Sequence, residues 1–280
     1  MHILKDFILN TLPNEDIKSN IYKKVNNKSS LIVNSSCGIP YSTVAKNILL
    51  FLTTTIINQK SKRIYIGKTF NEFMKSCGYK PSGGEHGNMR RFKEQWKRIL
   101  ASSFTIIFDG KEITFRFVQA TNEFDGYIEV SDSFYNHLLK NKIYIEDNDI
   151  KKLQYGKHGN LVLNVYSWMI YKRYTTNKFT KIKYEDLQNQ FGSTGSLSSF
   201  KTNLKKAFIV IATILNIRVI FKDDHLNVEN LSLLEKVKYL ASSLYLFSRK
   251  FQKEIKTLII DSKYRLSIDF MDKNTLILKP

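Results

Sequence analysis

The spacing of apolar residues predicts a helix, a short strand, two further helices and a β-hairpin, in an order that occurs twice. In the first copy, Pro40 favours a helix start, and apolar residues then recur at helical spacing over 44–56. RIYIG (63–67) follows as a short β-prone run. Two later β-rich runs, SFTIIFDG and KEITFRFVQA, are joined by Asp109-Gly110, which predicts the hairpin.

Two helices are predicted between that short strand and the hairpin. Thr69 and Glu72 stand three residues apart at the start of TFNEFMKSCG, which is a capping-box pattern, and Gly78 would end this helix. After the turn SGGEHG, a stronger helix is predicted over about 88–102. The order helix, strand, helix, helix, hairpin is that of a winged helix.

The second copy begins near Asn160 and repeats this order. LVLNVYSWMIYKRYTTN predicts a helix, TKIKY a short strand and YEDLQNQFGS a second helix. The longer helix SLSSFKTNLKKAFIVIATILN then precedes a hairpin made of IRVIF and HLNVE. A bridging segment over 128–142 joins the copies, with Ser131 as its candidate helix cap, and a helix and a β-prone tail follow from about Leu231.

These elements predict an α+β fold made of two tandem winged-helix (helix-turn-helix) domains. The domains are expected to be mostly helical with short β-hairpin wings, and to be followed by a C-terminal helix and β tail. We expect a partly flexible N-terminal arm over 1–37, a first winged-helix domain over 38–142 and a second over 143–230. A C-terminal extension over 231–280 is expected to pack on the second domain.

Net charge narrows the choice of partner. The chain has 44 basic and 25 acidic residues, a net charge of +19 and a sequence pI near 9.7, which fits nucleic acid or an anionic membrane surface. The lysine-rich composition is also typical of an AT-rich genome, so the charge alone does not decide between a binding surface and an ordinary solvated one.

The third helix of each copy has a basic face opposite its apolar face. In the first copy the predicted core residues are Met89, Phe92, Trp96, Ile99 and Leu100, and the opposite side carries Arg90, Arg91, Lys97 and Arg98, with Glu94 among them. In the second copy the polar side carries Ser198, Thr202, Lys205 and Lys206, with Lys201 at its border. Arginine can bind guanine or phosphate with two hydrogen bonds, which predicts DNA binding by the first face. The hydroxyl- and ammonium-rich start of the second helix would suit phosphate contacts, so that face is predicted to bind DNA as well. The alternative is that each charged face is simply solvated.

Sequence signatures of catalysis and metal binding are not found. Cys37 and Cys77 lie far apart, and the five histidines are scattered singly, so no metal ligand spacing occurs. Gly67-Lys68-Thr69 resembles the end of a phosphate-binding loop, but Lys62 stands where that motif needs glycine. We therefore expect no catalytic residues, no metal, no cofactor and no enzymatic activity. The short apolar runs lead us to expect a cytoplasmic protein without a membrane partner.

Several linked segments resemble the RepA-type initiator proteins of bacterial plasmids. They include GIPYSTVAKNILLFLTT, KSKRIYIGKTFNEFMKSCG, SGGEHGNMRRFKEQWKRILASS, VSDSFYNHLL and TKIKYEDLQNQFGS, within a resemblance that runs from about Thr11 to Glu229. The resemblance implies a protein that binds repeated double-stranded sites in a plasmid origin and helps to open an adjacent AT-rich segment. It also implies recruitment of host replication proteins, such as the host initiator and the replicative helicase.

The basic helices and the resemblance together predict a docking mode. The two third helices would enter successive major grooves of a repeat, while wing lysines and helix N-termini hold phosphates. A homodimer and association with the plasmid or nucleoid remain open expectations. The alternatives are a winged-helix transcriptional regulator without a replication role, and a replication enzyme such as a primase or nicking protein.

Overall fold

The computed structural model divides the chain into two compact units, Met1–Glu146 and Asp147–Pro280, each of which is described by itself. The residues that the structure describes are 1–26, 29–84, 87–120, 126–154, 159–175, 182–215, 217–221, 225–230, 267–272 and 275–279.

The first unit combines helices with antiparallel strands. Its helices are α1 (Lys5–Leu9), α2 (Ser42–Gln59), α3 (Phe70–Ser76), α4 (Asn88–Leu100) and α5 (Asp132–Asn141). Its strands are β1 (His2–Leu4), β2 (Ile21–Asn26), β3 (Ser29–Ser35), β4 (Arg63–Tyr65), β5 (Ser102–Phe108), β6 (Lys111–Arg116), β7 (Val118–Ala120), β8 (Tyr127–Val130) and β9 (Lys142–Tyr144). The helices and strands predicted for the first copy are confirmed, because α2, β4, α3, α4, β5 and β6 follow one another in the expected order.

Local chemistry explains where several of these elements begin and turn. The Thr69 side chain caps α3 by accepting a hydrogen bond from the Glu72 amide, and the Ser131 side chain caps α5 in the same way. Asp109 and Gly110 both have positive φ, of 50° and 78°, in the two-residue turn that joins β5 to β6. Paired positive φ values suit the right-handed twist of a hairpin, so the predicted Asp-Gly turn is confirmed.

The strand pairing in the first unit differs from that of the short two-stranded wing that the sequence predicts. The β5–β6 hairpin belongs to a four-stranded sheet in the order β2-β3-β5-β6, and β4 pairs with β8 in a separate sheet, β4-β8-β7. The short strand after α2 therefore does not pair with the hairpin that follows α4. The polypeptide passes from the first sheet to the second at Phe117, a buried residue between β6 and β7.

The segment expected as an N-terminal arm is part of this unit. Strand β3 lies between β2 and β5, with Leu31 and Val33 wholly buried, and β1 pairs with β9. The terminal amino group of Met1 also donates a hydrogen bond to the Ile145 carbonyl at 2.7 Å. The expectation of an arm is corrected because alternate residues of β3 supply core side chains, and period-two alternation over seven residues buries one strand face.

Aromatic side chains fill the core of the first unit in two groups. Phe104, Phe115 and Phe117 lie beneath the four-stranded sheet, with the Phe117 and Phe134 rings 4.3 Å apart between their centroids. The second group surrounds Phe73 of α3. Aromatic pairs at these distances add attraction beyond the burial of their area, so both groups hold helices against their neighbours.

The second unit repeats the order of elements with a simpler sheet. Its helices are α6 (Asp147–Gln154), α7 (Gly159–Thr175), α8 (Tyr184–Gln190) and α9 (Leu197–Ile214), and its strands are β10 (Ile182–Lys183), β11 (Ile217–Phe221), β12 (His225–Asn230), β13 (Ser267–Asp272) and β14 (Thr275–Lys279). Strand β10 pairs with β12 in the order β10-β12-β11, and β13 pairs with β14. The predicted β tail is thus a hairpin, whereas the helix predicted after Leu231 lies outside the described residues. Across the described part of the chain, none of the helices has the length and apolar character needed to cross a membrane.

Two shielded lysines lie near each other in the first unit. The Lys46 ammonium on α2 donates a hydrogen bond to the Asn14 side chain at 2.9 Å, and Lys24 on β2 is buried. Burial, reinforced by the charge of Lys24, lowers the pKa of Lys46 to about 7, and burial also lowers the pKa of Lys24. The folded protein therefore holds the Lys46 proton less tightly than the unfolded chain does.

We expect the free energy of unfolding to rise between pH 7 and 9, because the unfolded chain binds more protons than the folded protein over this range. The rise should be on the order of 1–2 kcal/mol, since partial solvent access weakens the effect. Lys46→Met should flatten it, and Lys140→Met, at an exposed lysine of α5, should leave it unchanged. Urea unfolding at several pH values measures this. An equally steep rise in Lys46→Met would contradict the assignment.

Candidate nucleic-acid interface

Helices α3 and α4 are held together by the aromatic group around Phe73. The Phe73 ring lies 5.2 Å from that of Phe92 and 5.0 Å from that of Trp96, between ring centroids, and both partners belong to α4. Phe70 also contacts Phe92, with centroids 5.5 Å apart. Because Phe73 and Phe92 are fully buried, neither helix can rotate about its axis without breaking these contacts.

The turn between the two helices is anchored at the first residue of α4. The Asn88 amide donates to the Ser82 hydroxyl at 3.1 Å, and the Asn88 side chain accepts from the Ser82 amide at 3.0 Å. The Asn88 side chain also donates to the Lys80 carbonyl at 2.9 Å. A Cβ atom at Gly87 would lie 2.3 Å from the Ser82 carbonyl oxygen, so this position requires glycine. The turn therefore sets where α4 begins.

With one side of α4 packed in the core, a row of cations faces solvent. Arg90, Arg91 and Lys97, three of the four residues predicted from the sequence, are exposed on this side. Lys93 is exposed there as well, with its ammonium 5.5 Å from the centroid of the Phe70 ring. We call Arg90, Arg91, Lys93 and Lys97 the α4 basic face.

Lys93 was missed by the sequence analysis although a signal for it existed. It stands three residues after Arg90 and four before Lys97, which places it beside both on a helix surface. Its neighbour Phe92 is buried in the core.

Arg98, the fourth predicted residue, is not part of this exposed row. Its side chain is only 11% exposed, and its guanidinium binds both oxygens of Asp16 at 3.1 and 2.9 Å. It also donates to the Ile39 carbonyl at 2.9 Å, pairs with Glu94 at 2.8 Å and lies over the Tyr41 ring. The structure thus corrects the prediction for Arg98, because partners within the protein already accept the hydrogen bonds of its guanidinium.

The pair of Arg98 and Asp16 ties α4 to the segment between α1 and β2. The hydrogen bonds from Arg98 hold the pKa of Asp16 well below its usual range, and the carboxylate raises the pKa of Arg98. A Cβ atom at Gly38, whose φ is +94°, would lie 2.9 Å from a guanidinium nitrogen, so the backbone approaches the pair closely. Because the folded pKa of Asp16 is depressed, its stabilising effect is present above pH 3.8 and is lost on acidification.

Asp16→Asn should lower the free energy of unfolding by about 2–3 kcal/mol at neutral pH, since it leaves a shielded guanidinium with only Glu94 as its charged partner. The difference from the wild type should shrink as the pH falls below 3.8. DNA affinity per folded molecule should change less than about twofold, which is well below the tenfold step of a lost contact. Denaturant unfolding and binding titrations measure the two effects. A large change of affinity in the folded variant would contradict a purely structural role for the pair of Arg98 and Asp16.

Helix α9 of the second unit presents a less charged face. The Ser196 side chain caps it. Of the six apolar residues expected on its core side, five are buried and Leu197 is half-buried; the buried ones are Phe200, Leu204, Phe208, Ile211 and Leu215. Of the predicted polar residues, Ser198, Thr202 and Lys205 are exposed, whereas Lys201 and Lys206 are half-buried.

Two of the polar α9 residues have internal contacts. The Lys201 ammonium lies 4.6 Å from the centroid of the Tyr184 ring of α8, and the Thr202 hydroxyl donates to the Ser198 carbonyl at 3.1 Å. The five residues lie on one side of the helix, as predicted, with Lys205 as the most exposed cation. Of the two helices, α4 therefore presents the stronger concentration of exposed positive charge.

Comparisons with known proteins agree with this architecture. Residues 39–185 match the family model described as plasmid encoded RepA protein, which is more than half of the chain and includes both α3 and α4. The chain is similar to a crystal structure of domains 2 and 3 of RctB, with a TM-score of 0.50, 16% identity, and coverage of 84% of this chain and 99% of the other. A structure of selenomethionine derivatives of the same two domains gives a TM-score of 0.50, 15% identity, and coverage of 81% and 98%. At this identity the likeness concerns the fold alone. No curated protein matches the sequence.

Proposed function

Because this chain belongs to the family of plasmid-encoded RepA proteins, we propose that it initiates replication by binding repeated double-stranded DNA sites at a plasmid origin. The proposal assigns it a binding role without catalysis, metal or cofactor. Opening of an adjacent AT-rich segment and recruitment of the host initiator and replicative helicase would follow from that binding. A homodimer, and a location on the plasmid in the bacterial cytoplasm, belong to the same proposal.

The observation that carries the proposal is the α4 basic face. Its four cations are exposed on the side of a 13-residue helix opposite fully buried Phe92 and Ile99. Glu94, the acidic residue on the same side, pairs with Arg98, and the four exposed cations outnumber it. An α-helix fits the major groove of B-DNA, where each base pair presents a distinct pattern of donors and acceptors.

Position along α4 suggests separate roles for its cations. Arg90 is the third residue of the helix, and recognition helices contact base edges chiefly through their N-terminal residues. Lys97 lies about 10 Å further along the axis, at 1.5 Å per residue, where a cation would meet the phosphate backbone. We propose that Arg90 reads a base and that Lys93 and Lys97 hold phosphates.

The winged-helix interpretation has support in each unit. Helix α3, the anchored turn and α4 follow one another as in a helix-turn-helix, and β10 pairs with the β11–β12 hairpin as the short strand of a winged helix does. In the second unit, Ser198, Thr202 and Lys205 near the start of α9 would contact phosphates, with Lys201 and Lys206 at the edge of the contact.

The test of the proposal is binding of the purified chain to fragments tiled across the replicon that encodes it. Each fragment is titrated at low and near-physiological salt against a scrambled competitor. A discrete footprint on tandem repeats that survives physiological salt is the expected result, because base contacts add to the salt-sensitive phosphate term. Uniform, salt-sensitive binding to every fragment would contradict the proposal.

Replacing Arg90 and Lys206 one at a time should distinguish a base contact from a phosphate contact. Arg90→Ala should lower affinity for the repeat about tenfold or more and relax sequence preference at one position, since a base contact is lost. Lys206→Ala should weaken all sequences alike and lower the slope of log affinity against log salt by about 1. Anisotropy titrations on the repeat and on a scrambled duplex measure both.

Lys140→Ala is the matched control for both variants, because Lys140 is an exposed lysine of α5 outside α4 and α9. It should leave affinity and sequence preference close to those of the wild type. Unchanged binding by Arg90→Ala and Lys206→Ala would exclude this docking mode, even if the chain still bound the repeats.

A further inference from the structure

The sheet formed by β4 and β8 exposes two tyrosines side by side. Tyr65 pairs with Tyr127 and Ile64 with Ile128 in the antiparallel register. The two isoleucines are buried, whereas Tyr65 is 37% exposed and Tyr127 46% exposed, so both rings lie on the outer face of the sheet. A surface that leaves two large rings accessible to solvent has aromatic area available for a partner.

The rings and one neighbouring cation form a single group. The centroids of Tyr65 and Tyr127 are 5.2 Å apart, and the Arg63 guanidinium carbon lies 5.0 Å from the centroid of the Tyr127 ring. We call Tyr65, Tyr127 and Arg63 the β4–β8 platform. Arg63 is exposed at the start of the same strand as Tyr65, with Glu129 as its register partner on β8.

Backbone contacts hold the platform in place. The Gln59 side chain accepts a hydrogen bond from the Tyr65 amide at 3.0 Å and donates to the Tyr65 carbonyl at 3.3 Å. On the other strand, the Gly126 carbonyl accepts from the Ile66 amide at 2.8 Å, and a Cβ atom at Gly126 would lie 2.8 Å from the Gly67 carbonyl oxygen. The two tyrosines are therefore carried by backbone that is bonded on both sides.

The charge around the platform favours a polyanion. Lys60, Lys62, Arg63 and Lys68 are all exposed in the segments that flank Tyr65. Lys62 pairs with Asp132 at 2.6 Å. The remaining three cations outnumber the two nearby carboxylates, those of Glu129 and of Glu72, which accepts a hydrogen bond from the Lys68 amide. Accessible aromatic faces together with basic side chains are the features by which proteins bind single-stranded nucleic acid.

We propose that the β4–β8 platform binds unpaired nucleotides of DNA, with bases stacked on Tyr65 and Tyr127 and a phosphate held by Arg63. Bases inside a duplex are already stacked on each other, so only a separated strand can place a base against these rings. The platform would thus hold one strand of an opened segment and is distinct from the α4 basic face. The inference does not depend on duplex recognition by α4.

The experiment measures binding of the full-length chain to a fluorescein-labelled 20-nucleotide oligo(dT) by anisotropy, with an unlabelled 20-base-pair duplex as competitor. Tyr65→Ala and Tyr127→Ala should each weaken oligo(dT) binding about tenfold, because each removes one stacking surface. The double variant Tyr65→Phe, Tyr127→Phe should bind within twofold of the wild type, since it keeps both rings. Arg63→Ala should lower the salt slope by about 0.7, as expected for one phosphate contact on a single strand.

Tyr144→Ala is the matched control, because Tyr144 is also 47% exposed in the same unit but lies on β9. It should bind oligo(dT) like the wild type, and thermal unfolding identifies the variants that remain folded. The double phenylalanine variant keeps the proposal testable if an alanine variant does not fold.

Four outcomes would overturn the inference. The first two are that the wild type does not bind oligo(dT), and that both alanine variants bind it as tightly as the wild type does. The third is that the double phenylalanine variant loses as much oligo(dT) affinity as the alanine variants. The fourth is that the alanine variants lose duplex affinity and oligo(dT) affinity to the same extent. Duplex binding lost in Arg90→Ala with oligo(dT) binding retained would support two separate surfaces. Failure of duplex recognition in the tiling experiment leaves this test intact.

Discussion

The contact of Phe73 with Phe92 and Trp96 is the interaction on which the candidate interface depends. It joins α3 to α4 through rings that are buried or nearly so, and the Phe51 and Phe70 rings pack against Phe73 as well. Close-packed rings allow little rotation of either helix. The direction in which Arg90 and its neighbours point is therefore a consequence of core packing.

The same constraint separates cations that look equivalent along α4. Rotating the helix so that Phe92 faces the core leaves Arg90, Lys93 and Lys97 in solvent and brings Arg98 toward Asp16. A guanidinium in a shielded site needs a carboxylate, because removing it from water without one costs several kcal/mol, about 3–5 in comparable pairs. One arginine thus stabilises the fold while others remain available for a ligand.

The two proposed surfaces of the first unit would bind DNA through different interactions. The α4 basic face offers charge on a convex helix, which suits the groove and phosphates of a duplex. The β4–β8 platform offers aromatic area on a sheet, which suits bases that have left a duplex. A protein of the RepA family with both surfaces could bind a repeat and a separated strand through one compact unit.

Patterns along the chain were sufficient to predict the order of the elements in the two repeated copies. Helical spacing identified α2, α4, α7 and α9, the pair of Thr69 and Glu72 identified the start of α3, and Asp109-Gly110 identified the β5–β6 turn. These features depend on residues within a few positions of each other, so local propensity and periodicity determine them. Three of the four exposed cations of α4 were predicted for the same reason, as was the buried side of α9.

Which distant strands pair, and which cations have internal partners, depends on long-range packing. The N-terminal residues Leu31 and Val33 complete a sheet with β5, some 70 positions away. Asp16 reaches Arg98 across 82 positions, and Tyr65 meets Tyr127 across 62. Such contacts form where packing brings distant segments together, and helical periodicity carries no information about them. Local sequence therefore specifies the repeated elements and the amphipathic sides of their helices, whereas the partners of each side chain depend on contacts between distant segments.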